Sequence, residues 1–78
     1  LPLDRVELKD YIYHRLKVAG AADGLQFTND AVEEIYLYSG GTPRLINIIC
    51  DRALLAGFVL ETLTIDYNVI KRCIEEVR

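Results

Sequence analysis

Four stretches of this chain carry apolar residues at helical spacing, and glycines mark most of the breaks between them. In the first stretch Leu8, Ile12, Leu16 and Ala19 form one face. Asp4 followed by Glu7 is a capping-box pattern, so the first helix opens at Asp4 and stops at Gly20. "GAADGLQF" reads as a loop punctuated by Gly20 and Gly24. Thr28 caps a second helix, where Asp30 suits the electropositive start and Ala31, Ile35 and Tyr38 make the seam; Gly40 and Gly41 end it. Thr42 and Pro43 open a third helix that is apolar almost all round: Leu45, Ile46, Ile48, Ile49, Cys50, Ala53, Leu54, Leu55 and Ala56. Such a helix belongs in the middle of a bundle, with Gly57 loosening or ending it near Phe58. After "ETLT", Asp66 caps a fourth helix carrying Ile70, Cys73, Ile74 and Val77. No stretch of convincing length reads as a strand. The pattern predicts an all-α fold, a small four-helix bundle.

The 78 residues suffice for one small domain with a marginal core. A hydrophobic content of 51% argues against disorder. Net charge is -3, with an isoelectric point of about 5.0. No basic surplus exists to neutralise a run of phosphates, which argues against nucleic acid as a partner. The opening Leu-Pro-Leu-Asp does not read as a signal peptide, and "ALLAGFVL" is too short to span a membrane; the expectation is a soluble, cytoplasmic domain. Cys50 and Cys73 sit within apolar helical patterns without CxxC spacing, as two buried free thiols would, although spacing alone leaves a bridge between them open.

One residue runs against the grain of the pattern. Arg44 falls in the first turn of the third helix, where the electropositive end disfavours a cation by roughly 0.3–1 kcal/mol. On a helical wheel Arg44, Asn47 and Asp51 lie within ~60° of one another and form a polar stripe on a greasy cylinder. Two readings are open. The stripe is the wet edge of the helix, with Arg44 pairing to Asp51 or Glu33. Alternatively, it lines an anion site in which the unpaired N–H groups of the helix start and the guanidinium fork share a phosphate. In the second reading Gly40 and Gly41 leave room for close backbone approach and Pro43 stiffens the turn.

The segment "GGTPRLINIICDRALLAG" resembles the sensor-2 segment of AAA+ ATPases. The longer pattern from "LPLDRVELKDYIYHRLKVAG" through "FTNDAVEEIYLYSGGTPRLINIICDRALLAG" is similar to the C-terminal lid of the general secretion pathway protein A (ExeA-like) family. The resemblance covers nearly the whole chain. It implies that residues 1–4 end a hinge from an ATPase core and residues 5–78 form a lid closing over ATP and magnesium held by a preceding α/β subdomain. It further implies contacts with neighbouring subunits of a homo-oligomer and, for the intact protein, a place at the inner face of the bacterial inner membrane. Arg44 would be the sensor-2 arginine on the terminal phosphate, and Pro43 would lie near the adenine side. Ile12 would pack on the base, with Asn47 and Asp51 supporting the arginine. The chain has no GxxxxGK[ST] phosphate loop and no strand ending in an acidic pair, so it is not expected to hydrolyse or hold ATP alone.

His14, with Asp10 one turn earlier, reads as a solvated surface pair rather than a metal or catalytic site. Of each close tyrosine pair, Tyr11 with Tyr13 and Tyr36 with Tyr38, one member is expected in the core and the other on the surface. A helix-turn-helix DNA binder is opposed by the apolar third helix, since a groove-reading helix exposes a polar or basic face. A protein-interaction bundle with an incidental arginine is the other alternative.

Overall fold

The computed structural model describes residues 1–78 as four helices and one two-residue ladder. These are α1 (Arg5–Val18), β1 (Gln26–Phe27), α2 (Asn29–Ser39), α3 (Pro43–Leu60), β2 (Thr64–Ile65) and α4 (Tyr67–Val77), within 34 × 24 × 19 Å. Local chemistry sets the helix starts. The Asp4 carboxylate accepts from the Glu7 amide at 2.8 Å, and the Glu7 side chain accepts from the Asp4 amide at 3.0 Å, completing the capping box. Thr28 Oγ1 accepts from the Ala31 amide and donates to Asp30, and Asp66 accepts from the Val69 amide. Gly40, left-handed at φ 61, closes α2.

The core follows the apolar spacing. Leu8, Ile12 and Leu16 of α1 meet Ala31 and Ile35 of α2, Ile46, Ile49, Cys50 and Ala53 of α3, and Ile70 and Ile74 of α4. Each wholly buried Leu or Ile contributes roughly 1.5–3 kcal/mol of transfer free energy. All-α holds for the four helices, but the two loops are not featureless. Gln26–Phe27 and Thr64–Ile65 pair in parallel, the Gln26 amide donating to the Leu63 carbonyl and the Thr28 amide to the Ile65 carbonyl. The ladder seats Phe27 and Ile65 in the core. Tyr13 reinforces it: the tyrosine hydroxyl accepts from the Phe27 amide at 3.1 Å, and the two rings meet edge to face.

Several local expectations change. Ala19 is the exposed cap of α1 rather than part of its buried face. Four tyrosines, 11, 13, 36 and 38, are all half-buried, because each ring packs against the edge of the core and keeps part of its surface in water. Gly57 neither stops nor loosens α3, which continues to Leu60. A Cβ at position 57 would sit 3.2 Å from Ile65 Cδ1, so the glycine admits close approach of β2. Nor is α3 enclosed on all sides. Its buried face is Ile46, Ile49, Cys50, Ala53 and Gly57, while Leu55, Phe58, Val59 and Leu60 are more than half exposed.

Candidate functional site

The turn from Ser39 to Arg44 is built around a backbone clasp. Ser39 is buried; its hydroxyl accepts from the Gly41 amide at 3.1 Å and its carbonyl from the Thr42 amide at 3.0 Å. The carbonyl of Gly41, a residue at φ 81, accepts from the Leu3 amide at 2.8 Å. A Cβ on Gly41 would lie 2.8 Å from the Leu3 nitrogen and closer still to the Leu3 carbonyl oxygen. The room read at Gly41 as space for a ligand is therefore taken by the chain's own N-terminal segment. Gly40 does face open space: a Cβ there would meet no atom within 4 Å.

Thr42 occupies the cap position of α3, but its side chain makes no capping bond. With Pro43 at the first helical position and the Ile46 amide already bonded to the Thr42 carbonyl, the Arg44 and Leu45 amides are the uncapped donors of this end. Arg44 itself is exposed and has no ion pair; the two in the structure are Arg5–Glu33 and Arg15–Asp51. Neither carboxylate considered for Arg44 is free for it. Glu33 is held bidentately by Arg5, at 2.8 and 2.9 Å, and that guanidinium also lies 4.3 Å over the Tyr36 ring. The pairing raises the Arg5 pKa and lowers that of Glu33 through their shared hydrogen bonds.

The remaining site residues separate into two groups. Pro43 lies half-exposed beside Arg44 at the open helix end. Asn47, half-buried, accepts a 2.8 Å bond from the Tyr11 hydroxyl, and Asp51 meets Arg15 Nη2 at 3.5 Å, so both are engaged by α1 rather than by Arg44. Ile12 is completely buried in the core and has no surface to offer a base, so that expectation is not met. Leu3, Tyr11 and Arg15 are the residues that sequence reading missed. Their partners lie far along the chain, and Leu3 acts through its backbone, which no side-chain pattern reveals. Arg15 Nε is buried without a hydrogen-bond partner, a cost that the long contact to Asp51 offsets only in part.

Both thiols are free and buried, as two small hydrophobes. Burial pushes Cys50 up to about 12 and raises Cys73 as well, so neither supplies a thiolate near neutral pH. His14 and Asp10 are exposed, and no group of three or more His, Cys, Asp or Glu side chains is gathered for a metal. No helix is long and apolar enough to cross a membrane.

Over 58 residues, 74% of its length, the chain is 48% identical to general secretion pathway protein A of Aeromonas hydrophila. The chain is related in sequence to that secretion-pathway protein. It spans about 10% of the relative's length. No family model matches the chain. No solved structure matches it.

Proposed function

We propose that this chain is the helical lid of an AAA+ ATPase serving a secretion or pilus-type assembly system, with Arg44 as its sensor-2 arginine. The observation that carries the reading is the unpaired Arg44 at an uncapped helix start, with Glu33 and Asp51 both engaged by other arginines. A cation there is unfavourable in isolation and becomes favourable when a phosphate oxygen joins it and the Arg44 and Leu45 amides. The relationship to general secretion pathway protein A supplies the cellular setting.

In this reading residues 1–4 end the hinge and residues 5–78 form the lid. ATP with magnesium sits on a preceding α/β subdomain, which supplies the metal ligands and the phosphate loop. Bound there, the nucleotide supplies the anhydride to be cleaved. Arg44 binds and orients the terminal phosphate, Pro43 sets the direction of the turn, and the Tyr11–Asn47 bond anchors the first turns of α3 to α1. Neighbouring subunits of a homo-oligomer complete the machine, on the cytoplasmic side of the inner membrane.

Arg44→Ala in the complete ATPase should lower turnover roughly tenfold or more, while the circular dichroism melt of the present chain stays unchanged or rises slightly. Unchanged turnover by a correctly folded Arg44→Ala enzyme overturns the assignment. It would favour the second reading, a protein-interaction module, which the bare apolar end of α3 also supports.

A further inference from the structure

The C-terminal half of α3 and the facing side of α4 enclose an open groove of about 320 Å³. Its lining is largely apolar, including Leu55, Ala56, Val59, Val69 and the buried Cys73. Arg52 on α3 and Arg72 on α4 line the same groove, and neither is in an ion pair; Glu76, also lining it, bonds to neither. The chain as a whole carries a charge of -3, yet this groove holds two cations against one anion. The local sign is opposite to that of the domain.

We propose that the α3–α4 groove docks an acidic amphipathic helix of a partner protein. Apolar side chains of that helix seat on Leu55, Val59 and Val69, and its carboxylates meet Arg52 and Arg72. From Arg52 to Leu60 α3 rises about 12 Å, two turns, which matches partner anchors spaced three, four and seven residues apart. Guanidinium forks fit carboxylates bidentately, and arginine is enriched at protein interfaces, whose buried centres are apolar. A second copy of this chain is a poorer occupant. The acidic face of α2, with Asp30 and Glu34, exposes one large apolar residue, Leu37, and α1 exposes only Val6 and Val18, at opposite ends; the richer apolar face, Leu55, Phe58, Val59 and Leu60 of α3, borders the groove itself, and pairing it with its own copy would set Arg52 and Arg72 against like charges. The concavity also fits a helix better than a flat lipid surface. This reading stands whether or not Arg44 meets a nucleotide.

The test uses two synthetic helical peptides, one carrying leucines at i, i+3, i+4 and i+7 flanked by glutamates, the other with lysine in place of each glutamate. Titrated into the isotope-labelled chain, the glutamate peptide should shift the Leu55, Val59 and Val69 methyl signals. It should bind about tenfold more tightly than the lysine peptide. The preference should vanish in the Arg52→Gln/Arg72→Gln double variant, whose exposed substitutions leave the spectrum otherwise native. Equal affinities, no binding, a concentration-dependent dimer that covers these methyls, or the same shifts from phosphatidylglycerol vesicles would each overturn the proposal.

Discussion

At the start of α4 the Asp66 carboxylate takes the Val69 amide at 3.0 Å; at the start of α3 Thr42 holds the same position and takes nothing. The starts of α1 and α2 behave like that of α4, closed by Asp4 and Thr28. Each of these three ends thus satisfies one of its first-turn donors with an oxygen supplied by the sequence. The fourth keeps its donors open, sets a cation beside them, and is instead held from outside by Leu3. Tertiary structure, rather than a cap of its own, fixes the start of the third helix, and that leaves its local chemistry available for another purpose.

That contrast can be tested by substitution. The largest effect is expected from Gly41→Ala. It places a side chain at φ 81 and drives it into the Leu3 backbone, so thermal or denaturant unfolding should show a loss of about 2 kcal/mol or more. Gly40→Ala, also left-handed but open, should lose about 1 kcal/mol. Equal losses at the two positions would mean that the Leu3 clasp does not hold the turn. Next, Asp66→Ala should destabilise by about 1 kcal/mol, whereas Thr42→Ala should stay within about 0.5 kcal/mol of the parent, because no capping bond is lost. A comparable loss at Thr42 would erase the distinction between the two ends. Smallest of all, Arg44→Glu should raise stability by roughly 0.3–1 kcal/mol at low ionic strength and lose that gain in high salt, in a melt followed by circular dichroism. No gain would show that the end of α3 is not an exposed positive pole.

Much of this could be read from residue order, and the parts that could not share a cause. The Asp4/Glu7 box and the Asp66 cap act over three residues, so their pattern is local and visible. The bonds that define the region around Arg44 are not local. Tyr11 reaches Asn47, Arg15 reaches Asp51 and Arg5 reaches Glu33, each joining different helices, and spacing within one helix says nothing about them. The ladder escaped because two residues per strand are too few to show an alternation. Ile12 shows another limit: an apolar residue at the right helical position can belong to a ligand pocket or to the core, and here full burial decides for the core. With α3 the ambiguity ran the other way. Continuous apolarity does not distinguish a helix enclosed by its own domain from one whose far half is bare.

The small parallel ladder has a mechanical consequence. By stitching the loop after α1 to the loop after α3, it ties two otherwise independent connections into one stiff plate, with Phe27 and Ile65 as rivets in the interior. The exposed Phe58 and Leu63 stand at this same end of the molecule. A surface framed by such a plate has already surrendered much of its freedom during folding, so whatever settles against it has less motion left to freeze.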